Sequence, residues 1–237
     1  DNVRNIQHLD FADMTFGAEG CKDLALVLSK MSKLVYLDLK DSLCEDEGMK
    51  LVCHSLWSAD PPLQEFNVSG NDLSKSGARA VAVFLEENRS IKTFSSCENE
   101  ITSIGVKLII DALAGSTAIE EARFDDNKIG DIGGNAIIEA CYGPGGKKMP
   151  ALKRICLDHN GFSDDCVDGL LEAFGEKLVP MEENDNEADF DDALSVEESG
   201  DDSEAEDNDD DVGHVDDADV DALIAQVRGA TLDHDLL

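Results

Sequence analysis

Residues 63–77 read LQEFNVSGNDLSKSG, and residues 119–133 read IEEARFDDNKIGDIG. Both fit the frame L-x-x-L-x-L-x-x-N-x-L/I-x-x-x-G, in which apolar residues alternate and then give way to an asparagine. Followed outward in both directions, the frame occurs six times, starting at Ile6, Leu34, Leu63, Ile91, Ile119 and Leu152, at steps of 28, 29, 28, 28 and 33 residues. The alternating pair of each copy, such as Leu37 and Leu39, points to one side of a short strand. The ninth place holds Asn71, Asn99, Asn127 and Asn160, structural turn residues whose amides can bond backbone groups where the chain leaves the strand. Met14 and Ser42 stand there in the first two copies, so those turns are expected to be less well pinned. The sixth copy, LKRICLDHNGFSDDC, carries Cys166 where the frame wants the glycine that opens the next helix.

A helix-period segment follows each frame. Cys21, Leu24, Ala25 and Leu28 fall on one helical face, as do Ala78, Val81, Ala82 and Leu85, and Leu108, Ile109 and Leu113. Strand, turn and helix at a period of about 28 residues predict an α/β fold. It is a leucine-rich-repeat horseshoe of the ribonuclease-inhibitor type, with parallel strands on the concave side and helices on the convex side. About six repeats of 28–29 residues span 1–179. Each buried Leu or Ile contributes roughly 1.5–3 kcal/mol before entropy, so one repeat alone cannot fold but a stack can. The longer last step contains CYGPGGKKMPA at Cys141–Ala151, an inserted loop. Its glycines and lysines do not have the spacing, nor the Ser or Thr after the lysine, of a phosphate-binding loop.

The net charge of -34 is unevenly spread. Residues 180–237 hold 23 Asp and Glu against the single cation Arg228, leaving 30 acidic and 18 basic residues in 1–179. A block such as Asp207–Asp211 repels itself and buries little, so 180–237 is expected to be a disordered acidic tail. Within it, DADVDALIAQVRG suggests a short helix over 216–228 carrying Val220, Leu223, Ile224 and Val227. So acidic a chain does not neutralise phosphates, which argues against nucleic acid. No apolar run approaches the roughly 20 residues of a membrane span, which argues against membrane insertion. Seven cysteines without paired spacing suit reduced thiols in the cytosol or nucleus. The expected partners are basic proteins, met by a monomer.

Candidate sites follow from the same frame. Asp10, Asp13, Asp38, Asp41, Glu65, Glu98, Asp125, Asp126 and Asp158 crowd the strand side and are the partner-binding candidates, forming an electronegative inner surface. Cys156 and His159 lie close together but have neither an orienting group nor an oxyanion site in the sequence pattern. Asp207-x-Asp209-x-Asp211 has its Gly213 one place late for a calcium loop, and Ala218 where a Glu belongs. No catalytic residue, metal site or cofactor is expected.

The stretches IQHLDFADMTFGAEG, LVYLDLKDSLCEDEGMKLVCHSL and LQEFNVSGNDLSKSGARAVAVFL, taken in that order, resemble the Ran GTPase-activating protein family, most closely its plant-type sequences. The junction AFGEKLVPMEENDNEADFDD resembles that family's passage from last repeat to acidic region, so the likeness covers about residues 3–192. The resemblance implies stimulation of GTP hydrolysis by Ran in nucleocytoplasmic transport. It implies protein–protein binding with no catalytic site in the chain itself, and a location in the cytoplasm or at the nuclear envelope. Most GTPase activators insert an arginine finger; the resemblance implies instead an asparagine of an early repeat that positions Ran's own glutamine. Aligned by repeat, that asparagine and the early arginine linked to activity are expected upstream of residue 1. The chain does not begin with Met, so the true N-terminus is expected to lie elsewhere. An acidic leucine-rich nuclear protein that binds histones is the alternative, though its repeats are shorter. A ribonuclease-inhibitor-like or immune-sensor module matches the period but not the acidic tail.

Overall fold

Each copy of the frame folds into a three-residue strand, a turn and a helix. In the computed structural model, which describes residues 3–144 and 149–181, the order is β1 (His8–Asp10), α1 (Gly17–Leu28), β2 (Tyr36–Asp38), α2 (Glu45–Ala59), β3 (Glu65–Asn67), α3 (Lys75–Glu87), β4 (Thr93–Ser95), α4 (Ser103–Ala114), β5 (Glu121–Arg123), α5 (Asp131–Tyr142), β6 (Arg154–Cys156) and α6 (Asp164–Phe174). The strands form one parallel sheet in sequence order, β1 to β6. The chain divides into two units, residues 1–194 and 195–237. The acidic run from residue 182 and the expected helix over 216–228 lie outside the described residues, as does part of the Cys141–Ala151 loop.

The strands are short because the backbone turns left-handed at the eighth frame position every time. Asp13, Asp41, Gly70, Glu98, Asp126 and His159 all have φ between +52° and +65°. Left-handed backbone is least costly for glycine and tolerated by short polar residues, so it takes the chain off the sheet at a fixed point.

Inward residues form the core. Leu37, Phe66, Phe94, Ala122 and Ile155 are buried in one row; Leu39, Val68, Ser96, Phe124 and Leu157 are buried in the next. Phe66, Phe94 and Phe124 run in sequence at ring separations of 6.2 and 5.9 Å, and Phe84 of α3 meets Phe66 edge-on at 5.6 Å. Such tilted pairs add to the burial of their area. Repeat 1 is packed less tightly, with Ile6, Leu9, Phe11 and Phe16 only half-buried, because among the described residues it has a neighbour on one side alone. At the other end Val179 N–H donates to Ile155 O at 2.9 Å and covers the edge of β6.

The helices pack in chain order along one side of the sheet. In α4 the buried stripe is Val106, Ile109, Ile110 and Leu113, an i, i+3, i+4, i+7 set. Leu108 lies off that stripe and is half-buried, which corrects its expected place on the packed face. Helices approach closely where the frame has glycine: a Cβ on Gly133 would meet Ser103 Cα at 3.1 Å and Ile129 Cγ2 at 2.5 Å. In the sixth repeat, where Cys166 replaces that glycine, the neighbouring helix supplies the room, for a Cβ on Gly134 would sit 2.5 Å from Cys166 Sγ.

Two polar devices join the repeats. The first is an asparagine ladder. Asn99 Nδ2 donates to Val68 O (3.2 Å), Cys97 O (3.0 Å) and Ser96 Oγ (3.2 Å), while its Oδ1 accepts from Asn71 N (3.1 Å) and Leu73 N (3.0 Å). Asn71, Asn127 and Asn160 likewise donate back to Leu39 O, Ser96 O and Phe124 O of the preceding repeat. At the earlier turns Ser42 Oγ donates to Phe11 O at 3.0 Å, and Met14, which has no group to donate, is 52% exposed. The second device runs forward. Asp46, at the start of α2, accepts from Ser74 N and Gly77 N at 2.9 Å each. Asp131, at the start of α5, accepts from Ser163 N (2.8 Å) and Ser163 Oγ (2.6 Å). A carboxylate at the start of one helix thus satisfies N–H groups at the start of the next.

Candidate functional site

The face of the sheet turned away from the helices is built by register. One row runs His8, Tyr36, Glu65, Thr93, Glu121, Arg154; the parallel row runs Asp10, Asp38, Asn67, Ser95, Arg123, Cys156. These are the outward partners of the buried central row, so their side chains leave the sheet on the same side. Asp10 and Asp38 are therefore paired on β1 and β2, while Glu65 on β3 is paired with Tyr36. Asp125 and Asp158 stand two residues beyond their strands. Asp13, Asp41, Glu98 and Asp126 occupy the left-handed turn position.

The first group of carboxylates surrounds Tyr36. Its hydroxyl donates to Asp38 Oδ2 at 3.2 Å, and its ring stacks on His8 with 6.0 Å between centroids. Burial, with the negative charge of Asp38, Asp10 and Glu65 around it, pushes the Tyr36 hydroxyl up to about 12. Asp38 is fixed from three sides, since it also accepts from Lys40 N (2.8 Å) and Asn67 Nδ2 (3.1 Å). Lys40 of the second repeat reaches Glu98 of the fourth at 3.1 Å, and that hydrogen bond raises its pKa.

The second group lies on β5 and β6. Asp125 Oδ1 accepts from Asp158 N at 3.0 Å, and Cys97 Sγ lies 3.5 Å from Asp125 Oδ2. Burial, then Asp125, pushes the Cys97 thiol up to about 12, and Cys156 shifts the same way for the same two causes. Both thiols stay protonated and are poor nucleophiles. His159 Nδ1 lies 3.3 Å from Asp158 Oδ2, and Cys156 is buried. This end of the face also holds cations: Arg123 Nε and Arg154 Nη1 lie 3.7 and 3.8 Å from the same Glu121 oxygen. The expected electronegative surface is thus interrupted at β5–β6. Tyr36, His8, Lys40, Arg123 and Arg154 escaped the sequence reading because it followed the acids alone; the outward strand positions of each copy would have marked all but Lys40. Among the described residues no group of three or more His, Cys, Asp and Glu side chains could hold a metal ion, and no helix is long and apolar enough to cross a membrane.

The fold is a leucine-rich-repeat α/β solenoid. Residues 59–82 match the family described as Leucine Rich repeat. The chain is 31% identical over 87 residues to NACHT, LRR and PYD domains-containing protein 13 of Homo sapiens, covering 37% of this chain and 8% of that protein. It is 29% identical over 85 residues to leucine-rich repeat-containing protein 45 of Gallus gallus, covering 36% of this chain and 12% of that protein. The chain therefore spans only a small part of the length of these relatives. Among solved structures, the actin-binding site 2 of leiomodin-1 superposes with a TM-score of 0.48 at 18% identity, over 66% of this chain and 88% of that one. The tropomodulin C-terminal domain of Caenorhabditis elegans superposes with a TM-score of 0.49 at 12% identity, over 74% of this chain and 89% of that one.

Proposed function

We propose that the open face of the sheet binds a basic protein surface, and that the partner is the small GTPase Ran, whose GTP hydrolysis the full-length protein stimulates. The observation that carries the binding reading is the set of acids around Tyr36: Asp10 paired with Asp38 in one row, and Glu65 paired with Tyr36 in the other. A tyrosine ringed by carboxylates offers a cationic side chain both an aromatic surface and countercharge, and tyrosines are frequent anchors of interfaces. The naming of Ran rests on the resemblance of the first three repeats and of the junction into the acidic run. The charge of residues 180–237 adds long-range attraction for the same kind of partner, which speeds encounter more than it deepens affinity.

In this reading the chain works by binding and positioning. The activating asparagine implied by the resemblance does not fall on this chain's ladder residues; Asn71, Asn99, Asn127 and Asn160 are committed to backbone hydrogen bonds and do not replace it. The test is single-turnover GTP hydrolysis by Ran with and without the chain, beside a binding assay at low and high salt. Expected is salt-sensitive binding that is weakened in the Asp10→Asn/Asp38→Asn/Glu65→Gln variant, with stimulation appearing once upstream repeats are added. Absence of binding at every salt concentration removes Ran and leaves another basic partner, histones first, to be tried on the same face.

A further inference from the structure

We propose a second binding site, between the C-terminal ends of α2 and α3, that takes a lysine or arginine side chain of a protein partner. A cavity of 310 Å³ opens there, lined by Leu56, Trp57, Asp60, Phe84, Glu87 and Asn88. That volume lies at the small end of ligand pockets and suits a single side chain. Leu56 and Phe84 are buried and form an apolar floor. Trp57, the one tryptophan of the chain, is half-buried and stacks on His54 at 6.1 Å. Asn88 has its amide occupied, donating to Pro61 O (3.0 Å) and accepting from Ser90 N (2.9 Å), so it serves as wall.

The polar character of the site is negative. Asp60 and Glu87 are exposed lining residues, and Asp60 holds a left-handed φ of 45° as the C-cap of α2. Both helices present their C-terminal ends here, where the helix dipole is also negative. An apolar floor, an indole and a negative rim match a side chain with an aliphatic stem and a cationic head. An acidic ligand meets repulsion at every rim group. Residues 180–237 of this chain offer 23 acids and one arginine, so the basic segment belongs to another protein.

Trp57 is the reporter, because the single indole of the chain lines this cavity. The full chain is titrated, at constant ionic strength, with an amidated lysine–arginine peptide and with a glutamate peptide of equal length. Expected is a saturable change in Trp57 emission with the basic peptide alone, weakened by about tenfold or more in Asp60→Asn/Glu87→Gln. Asparagine keeps the left-handed cap, so that variant retains the fold. An identical titration curve for wild type and variant overturns the proposal, as does an unchanged emission while calorimetry shows the peptide bound elsewhere. A change that appears on concentrating the chain alone, without peptide, assigns the cavity to a second copy and overturns it as well.

Discussion

Replacing Asn99 by alanine tests the ladder where the joint between two repeats depends on it most. The position that carries Asp46 in the second repeat and Asp131 in the fifth is Lys75 in the third, and an ammonium has no acceptor for the next helix's N–H groups. Asn99 alone among the ladder residues accepts two N–H groups of the preceding repeat, from Asn71 and Leu73, both fully buried. The five hydrogen bonds of its side chain are not equal in consequence. Val68 O keeps a bond from Asn71 Nδ2, and Cys97 O keeps one from Gly70 N. The N–H groups of Asn71 and Leu73 lose their acceptor. A buried unsatisfied donor costs about 1–3 kcal/mol, so the pair amounts to about 2–6 kcal/mol. For a unit of this size that is a fall in Tm of roughly 4–24 °C, with the centre near 12 °C. Ser42→Ala is the control: its hydroxyl donates to Phe11 O, which also accepts from Met14 N, so its loss is expected to cost about 1 kcal/mol. Urea unfolding followed by far-ultraviolet circular dichroism and by Trp57 fluorescence gives both numbers. If Asn99→Ala unfolds within about 1 kcal/mol of wild type, or no earlier than Ser42→Ala, the orphaned-donor reasoning is wrong.

Gly134→Ala places a Cβ 2.5 Å from Cys166 Sγ and is expected to cost about 1–3 kcal/mol by overpacking. Adding Cys166→Gly should restore most of it, a coupling above about 1 kcal/mol in a double-mutant cycle; additive losses would refute the pairing of these two positions. Tyr36 titrates late, and the sign follows from its raised pKa: stability from its protonated form is intact below about pH 10, the model-peptide value, and drains away as pH rises toward 12. Ultraviolet titration of tyrosinate should show Asp38→Asn ionising earlier than wild type; an unchanged midpoint would detach Asp38 from the shift.

The period, the inward rows and the helical stripes could be read from the sequence because each is a repeated apolar pattern, and burial acts on every copy alike. Leu108 was misplaced because three apolar residues allow more than one stripe, and only the fit of Val106 and Ile110 against the neighbouring helices selects between them. The left-handed position escaped notice since five of its six occupants, Asp13, Asp41, Glu98, Asp126 and His159, look along the chain like any polar residue of a loop; Gly70 was the one overt signal. The Gly134–Cys166 exchange could not be seen along the chain, for the two residues meet only when α5 and α6 pack. On the open face, the acids were visible one by one, but their grouping around Tyr36 depends on strand register across three repeats.

The joints are sewn in both directions, backward by asparagine and forward by aspartate at the start of a helix. A turn of one repeat is finished by the repeat after it, and a helix of one repeat by the repeat before it. The two ends of each fastening lie 28 to 36 residues apart, about the length of a repeat. A segment one repeat long, cut at the strand or in mid-helix, therefore carries one end of every fastening and the other end of none. A duplicated copy joins the array only because each of its neighbours presents the same asparagine, carbonyl or helix start, so the array lengthens or shortens by whole periods.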